Sequence, residues 1–131
     1  WESAVKFGMV SPWFGIGPNT INFVPGADST IMYTNNLHII PSHPHNWIVE
    51  IFSETGVFGL CALIGTLCFS VRTTILSWYR RSNVGFILAI GVMAGYWGSG
   101  LFNFSYWSAW WQMSFFLSLS FCYCHGDSSS E

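Results

Sequence analysis

The sequence contains 131 residues, of which 51% are apolar, 19% are aromatic and only 8% are charged. Soluble domains carry about 25% charged residues, so the composition argues against an ordinary soluble domain and favours a chain that is largely solvated by lipid. The net charge is −2 with four basic residues, which excludes the positive surface that nucleic-acid binding requires. Because residue 1 is Trp and no basic leader segment precedes it, we expect the chain to be part of a longer protein.

The first 42 residues alternate between weak helical character and turns. Residues 1–10 carry a weak helical pattern of apolar positions, and "SPWFGIGPNT" then interrupts it with two prolines and two glycines. Two interpretations of Gly15-Ile16-Gly17 remain open: a tight turn at the membrane surface, or a nest of backbone amides near an anionic group. Residues 18–42 are polar and irregular, and long loops of this kind are often functional.

A helix is predicted to follow the segment "SHPHN" at residues 42–46. Pro44 is tolerated in a first helical turn, and Ser42 or His43 would then cap the helix. Glu50 and Glu54 are four residues apart and share one helical face. An imidazole can accept or deliver a proton near neutral pH, which makes His45 a candidate for proton transfer. The competing interpretation is a capping or interfacial histidine.

Three apolar stretches, at about 57–78, 84–102 and 106–123, approach the roughly 20 residues needed to cross a bilayer. Three arginines, at positions 72, 80 and 81, surround the first connection and make it cytoplasmic by the positive-inside rule. We therefore predict an all-α, polytopic integral membrane protein segment with three transmembrane helices. Residues 1–56 would form an outward-facing loop with a short helix, and residues 124–131 a cytoplasmic tail.

Two small features complete the analysis of the apolar part. Gly91 and Gly95 form a G-x-x-x-G pattern, which predicts close packing against further helices. Cys122, Cys124 and His125 lie close together but lack the second ligand pair of a zinc site. No metal and no cofactor are predicted.

The loop carries two motifs that together resemble a known family. His45-Asn46 is followed by nine residues and then Gly56-Val57-Phe58-Gly59, which fits the pattern H-[NSQ]-x9-G-x-x-G. The upstream segment "SPWFGIG" fits P-x-x-G-x-G. Over about residues 1–120 the chain resembles the C-terminal part of the O-antigen ligases. The resemblance implies a glycosyltransferase of the bacterial inner membrane, with residues 1–56 in the periplasm. It would transfer a glycan from a polyprenyl-diphosphate carrier to a hydroxyl of a lipid, a glycan or a protein.

The resemblance also implies roles for individual residues. His45 would be the general base on the acceptor hydroxyl, Asn46 would orient its ring, and Glu54 is a further candidate for orienting it. Gly56 and Gly59 would let the loop helix enter the membrane span.

Other loop residues are less specific candidates. Gly15, Gly17 and Trp47 are candidates for substrate binding. Trp47, Trp13 and Tyr33 could stack on a sugar, but anchoring at the membrane interface is favoured for each. Three further residues of the loop have no family position that can be assigned: His38, His43 and Glu50. We expect the loss of His38 or His43 to cost far less than the loss of His45.

Rival functions are an O-antigen polymerase, a protein O-glycosyltransferase, and a non-catalytic scaffold or transporter segment. A transporter should bury ionisable residues near the middle of the membrane, whereas the predicted spans contain only Arg72, near one end. A diphosphate carrier requires arginine partners, but the outward part contains only Lys6 as a fixed cation. We therefore expect arginines and further transmembrane helices elsewhere in the parent protein.

Overall fold

The computed structural model describes residues 1–27, 29 and 43–128, with side chains up to residue 124. Within these residues it contains four helices: α1 (Glu2–Gly8), α2 (Trp47–Arg81), α3 (Val84–Ser99) and α4 (Ala109–Ser128). A short 3₁₀ turn spans Ile21–Phe23. The predicted all-α fold is confirmed. Tyr33 and His38 lie outside the described residues.

The start of α2 differs from the prediction. The side-chain oxygen of Asn46 accepts hydrogen bonds from the backbone amides of Ile48 at 3.0 Å and Val49 at 3.2 Å, which is the geometry of an N-cap. The predicted cap at His43 was therefore wrong for the helix that forms, and Ser42 lies outside the described residues. The reason is local: His45 has a left-handed φ of 53°, so the helix begins only after it.

The helices differ in length from the three predicted spans. Within the described residues, α2 is the one helix long and apolar enough to cross a membrane, with 35 residues, and α3 is apolar but shorter, with 16. Helix α4, which corresponds to the third predicted span, begins at Ala109, later than expected, and continues to Ser128. The number of transmembrane spans stays a prediction.

The chain divides into two compact units, Trp1–Leu63 with Gly100–Trp107, and Ile64–Ser99 with Ser108–Glu131. In the second unit α3 packs against α4, where the ring of Tyr96 stacks on Trp111 and on Phe115 at centroid distances of 4.8 Å and 4.3 Å. A hydrogen bond of 2.6 Å joins the hydroxyl groups of Thr74 and Tyr123. Aromatic stacking thus connects α3 to α4, and the partly buried Thr74–Tyr123 hydrogen bond connects α2 to α4.

The first unit contains a small core that joins α1 to the beginning of α2. Its fully buried members are Ala4, Ile21 and Ala27. The hydroxyl of Ser53, on α2, donates to the Ala4 carbonyl oxygen at 2.8 Å. A Cβ atom on Gly8 would lie 2.7 Å from the Ser53 Cα, so the two helices approach closely only because this residue has no side chain. The N-terminal segment is therefore built onto the first part of α2, where the candidate site lies.

Candidate active site

Helix α2 is broken at Gly56, where φ is 69° and ψ is −167°. This backbone conformation is essentially restricted to glycine. A Cβ atom at this position would lie 2.3 Å from the carbonyl carbon of Trp13. Gly15, which also has a positive φ, approaches α2 as closely, because its Cβ would lie 2.2 Å from the carbonyl carbon of Glu54. The close contact between the segment around Gly15 and helix α2 therefore requires glycine at both positions.

The segment 12–17 satisfies the backbone groups that the break exposes. A helix end leaves carbonyl groups unpaired and a helix start leaves amide groups unpaired, and the break in α2 creates both. Four hydrogen bonds fill them, from Ile16 to the Ser53 carbonyl at 3.0 Å, Gly17 to Glu54 at 2.9 Å, Val57 to Pro12 at 2.9 Å and Phe58 to Trp13 at 3.3 Å. The two sequence motifs, P-x-x-G-x-G and G-x-x-G, thus meet in one structure.

Glu54 is buried, with 1% of its surface exposed, and its carboxylate holds two separate loops. It accepts hydrogen bonds from the backbone amides of Asn19 at 2.6 Å and Ile21 at 3.0 Å, and from the indole nitrogen of Trp107. The backbone amides that reach this side chain thus belong to Asn19 and Ile21, which follow the segment Gly15-Ile16-Gly17. The described hydrogen bonds of Glu54 do not include His45, so orientation of the His45 ring by Glu54 stays a prediction.

The amides of Gly15 and Gly17 are also engaged inside the protein. Gly15 donates to the Ser11 carbonyl at 2.7 Å and Gly17 to the Glu54 carbonyl. The hydrogen bonds of these two glycines therefore do not indicate an amide nest that binds substrate. Contact of either glycine with substrate stays a prediction.

Glu50 is the second buried carboxylate, also 1% exposed. It accepts a hydrogen bond from the Ser105 hydroxyl at 2.5 Å and another from the Tyr106 backbone amide at 2.7 Å. Burial raises the pKa of Glu50, which lies ahead of the predicted span, and these two hydrogen bonds lower it in part. The sequence signal was the spacing of Glu50 and Glu54 on an otherwise apolar helix, but no role could be assigned to Glu50 from it.

His45 lies at the surface directly before α2. Its Nδ1 atom lies 2.7 Å from the backbone carbonyl oxygen of Asn103. A carbonyl can only accept, so Nδ1 carries a hydrogen, and in the neutral form of such a ring the lone pair lies on Nε2. The left-handed φ of 53° at His45 is uncommon outside glycine and is found most often in Asn, Asp and His. Strained backbone of this kind is often found at functional sites.

His43, for which the sequence indicated no catalytic role, contacts His45 directly. The two ring centroids are 4.1 Å apart, and His43 Nε2 donates to the same Asn103 carbonyl oxygen at 3.1 Å. Partial burial lowers the pKa of His43, the hydrogen bond to Asn103 raises it, and the nearby His45 lowers it again. This pairing involves a carbonyl 60 residues away in sequence, so no local pattern could have found it.

The two remaining predicted site residues, Asn46 and Trp47, form hydrogen bonds with backbone groups. The side-chain oxygen of Asn46 caps α2, so orientation of the His45 ring by this side chain stays a prediction. Trp47 is half-buried and donates its backbone amide to the Gly100 carbonyl at 3.2 Å. Stacking of its ring on a sugar is likewise still a prediction.

The fold and the site together define a class before any relative is considered. An exposed, hydrogen-bonded histidine directly precedes an apolar helix that is, by length and composition, able to cross a bilayer. Residues 1–64 match the family model described as O-antigen ligase. The resemblance predicted from the motifs at Pro12–Gly17 and His45–Gly59 is therefore confirmed.

Two curated proteins are similar to the chain over most of its length. Each is named "Putative polysaccharide ligase", one from Rickettsia typhi and the other from Rickettsia prowazekii. Each is 25% identical over 120 residues, which cover 87% of this chain and 28% of the relative. The chain thus spans less than a third of the length of these relatives. No solved structure matches it.

Proposed function

We propose that the protein is part of an O-antigen ligase-like glycosyltransferase, in which His45 is the general base. The enzyme would transfer a glycan from a polyprenyl-diphosphate carrier to an acceptor hydroxyl at the outer face of the bacterial inner membrane. The observation that carries the proposal is the hydrogen bond from His45 Nδ1 to the Asn103 carbonyl. It leaves the basic Nε2 atom on an exposed ring, where an acceptor hydroxyl can reach it.

The proposed reaction uses this Nε2 atom as the proton acceptor. Nε2 takes the proton of the acceptor hydroxyl as its oxygen attacks the anomeric carbon of the donor glycan. The bond from that carbon to the diphosphate oxygen breaks, and the carrier leaves with the electron pair. The imidazolium that forms remains hydrogen-bonded to the Asn103 carbonyl, which stabilises its positive charge.

Other parts of the parent enzyme supply what this segment lacks. Lys6, the one lysine or arginine ahead of α2, lies 2.8 Å from the Glu2 carboxylate in an exposed ion pair, and it is not directed toward His45 by any described contact. Arginines in the remainder of the parent would hold the diphosphate. A ligase is preferred over a polymerase or a protein O-glycosyltransferase because the family description and both relatives name a ligase.

The membrane arrangement is part of the same proposal. Residues 1–56 face the periplasm, the connection containing the three arginines faces the cytoplasm, and α2 enters the bilayer after the break at Gly56. Large apolar side chains on α3 and α4 are exposed, among them Ile87, Leu117 and Phe121. Lipid and the other helices of the parent protein would cover them.

Substitution of His45 in the full-length parent tests the proposal. His45→Asn should lower the rate of glycan transfer by about 10²–10⁴-fold, the contribution of a positioned proton acceptor. Asn tolerates the left-handed backbone at this position, so the amount of protein in the membrane should be unchanged.

His38→Ala is the control, because it removes a histidine of the same loop that the family pattern does not include. It should leave transfer near the parental rate. Near-parental transfer by His45→Asn at equal expression would contradict the assignment of the general base.

A further inference from the structure

We propose that Glu50 is a positioning residue for His45, acting through the 100–107 loop that carries the Asn103 carbonyl. The catalytic part of this inference rests on the proposed function, whereas the structural part concerns only the state of the His45 ring. No motif includes Glu50, and it does not hydrogen-bond His45 itself.

The first observation is that a backbone group orients His45. The Asn103 carbonyl accepts from His45 Nδ1 at 2.7 Å and from His43 Nε2 at 3.1 Å. A carbonyl oxygen has two lone pairs, so the two imidazoles use its full capacity. This single oxygen therefore helps to orient both rings, and its position depends on what holds the loop.

The second observation is that Glu50 holds the loop immediately after Asn103. Both carboxylate oxygens are used, one by the Ser105 hydroxyl at 2.5 Å and the other by the Tyr106 amide at 2.7 Å. Ser105 also accepts a hydrogen bond from the Trp107 amide at 3.2 Å. These contacts fix the backbone two and three residues beyond the carbonyl that binds His45.

The third observation is that Glu50 belongs to the helix that His45 precedes. Asn46 caps this helix, and its carbonyl accepts the Glu50 amide at 2.9 Å. Glu50 thus connects the loop that orients the imidazole to the element that carries it. A residue needed only for packing could be apolar, whereas a buried carboxylate is tolerated only with such hydrogen bonds.

The consequence concerns the tautomer of His45. In a neutral imidazole the hydrogen bond made by one nitrogen decides which nitrogen carries the proton. While the Asn103 carbonyl holds Nδ1–H, Nε2 remains a base. If the loop moves, the ring is free to adopt the tautomer with hydrogen on Nε2, which cannot accept the proton of an acceptor hydroxyl.

The test uses the full-length parent in lipid nanodiscs, labelled with 15N-histidine. The resonances of His45 are identified by their loss in His45→Asn, and the nitrogen chemical shifts report the tautomer. In the parental protein they should report hydrogen on Nδ1. Glu50→Leu should shift the population toward hydrogen on Nε2 and lower kcat by about 10²-fold, the cost of a misplacement of about 1 Å, with little change in KM.

Two variants separate positioning from general stability. Glu50→Gln can still bind both Ser105 and Tyr106, so it should keep the parental tautomer and most of kcat. Ser53→Ala removes the hydroxyl of an equally buried residue on the same helix, which bonds the carbonyl of Ala4 on α1 and that of Val49 within α2 rather than the loop. It should leave the His45 tautomer and kcat unchanged.

An unchanged tautomer in Glu50→Leu overturns the inference, as does a parental His45 with hydrogen on Nε2. If Glu50→Leu does not accumulate in the membrane, Ser105→Ala decides by the same chemical shifts, since it removes one of the two contacts. If Glu50→Leu shifts the tautomer while His45→Asn retains full transfer, the positioning stands and the general-base proposal fails.

Discussion

Gly56→Ala should open the contact between the 12–17 segment and α2. The region around φ 69°, ψ −167° costs a residue other than glycine about 1–3 kcal/mol. The added Cβ would also lie 2.3 Å from the Trp13 carbonyl carbon and 2.4 Å from its oxygen, and displacing a packed backbone costs about 1–3 kcal/mol more. We therefore expect the contact to weaken by about 2–6 kcal/mol, a large part of the 5–15 kcal/mol that stabilises a typical domain.

Native-state amide exchange in the full-length parent measures this opening directly. The amides of Ile16 and Gly17 are protected by the carbonyls of Ser53 and Glu54, and their exchange reports local opening free energy. At 1.4 kcal/mol for each factor of ten, a weakening of about 2 kcal/mol accelerates exchange by about 30-fold. Larger values within the expected range give a larger acceleration.

Gly65→Ala is the matched control in the same helix. Gly65 is exposed and a Cβ there would meet no atom within 4 Å. Alanine is favoured over glycine in a helix interior by about 1 kcal/mol, so this variant should leave exchange at residues 16–17 unchanged. Parental exchange rates in Gly56→Ala, or equal effects of the two substitutions, would refute the steric argument.

Three further outcomes follow from the site. Asn46→Ala should remove the cap of α2 at a cost of about 0.5–2 kcal/mol, seen as faster amide exchange in the first turn of α2, while Asn46→Asp should retain most of it. Glu54→Ala leaves three described N–H donors without their acceptor, at a cost of about 1–3 kcal/mol each. It should accelerate amide exchange at residues 19–21. Loss of glycan transfer with unchanged amide exchange would instead favour a catalytic role for Glu54. The pKa of His43 is lowered in the folded protein, so this imidazole binds a proton more readily in the unfolded chain than in the folded one. The parent should therefore lose stability as pH falls below about 6.5. The Tm difference between His43→Gln and the parent should accordingly move in favour of the variant from pH 7.5 to pH 5.5, and a constant difference would contradict the sign.

Much of the fold could be predicted because its determinants are local. The long apolar runs and the helical spacing after residue 46 depend on neighbours within one or two turns, so periodicity revealed them. His45 could be singled out by its spacing to Gly56. The cap was misassigned because Ser42, His43 and Asn46 all lie within residues 42–46, and the left-handed backbone at His45 decides where the helix begins.

What the sequence by itself determined was thus an apolar, helical chain with one distinguished histidine. Only the tertiary structure decided what surrounds that histidine. The Asn103 carbonyl is 58 residues from His45 in sequence, Ser105 is 55 from Glu50, and Asn19 is 35 from Glu54. The physical reason is that a buried carboxylate must find hydrogen-bond donors wherever the folded chain brings them, and no local pattern records which loops those will be.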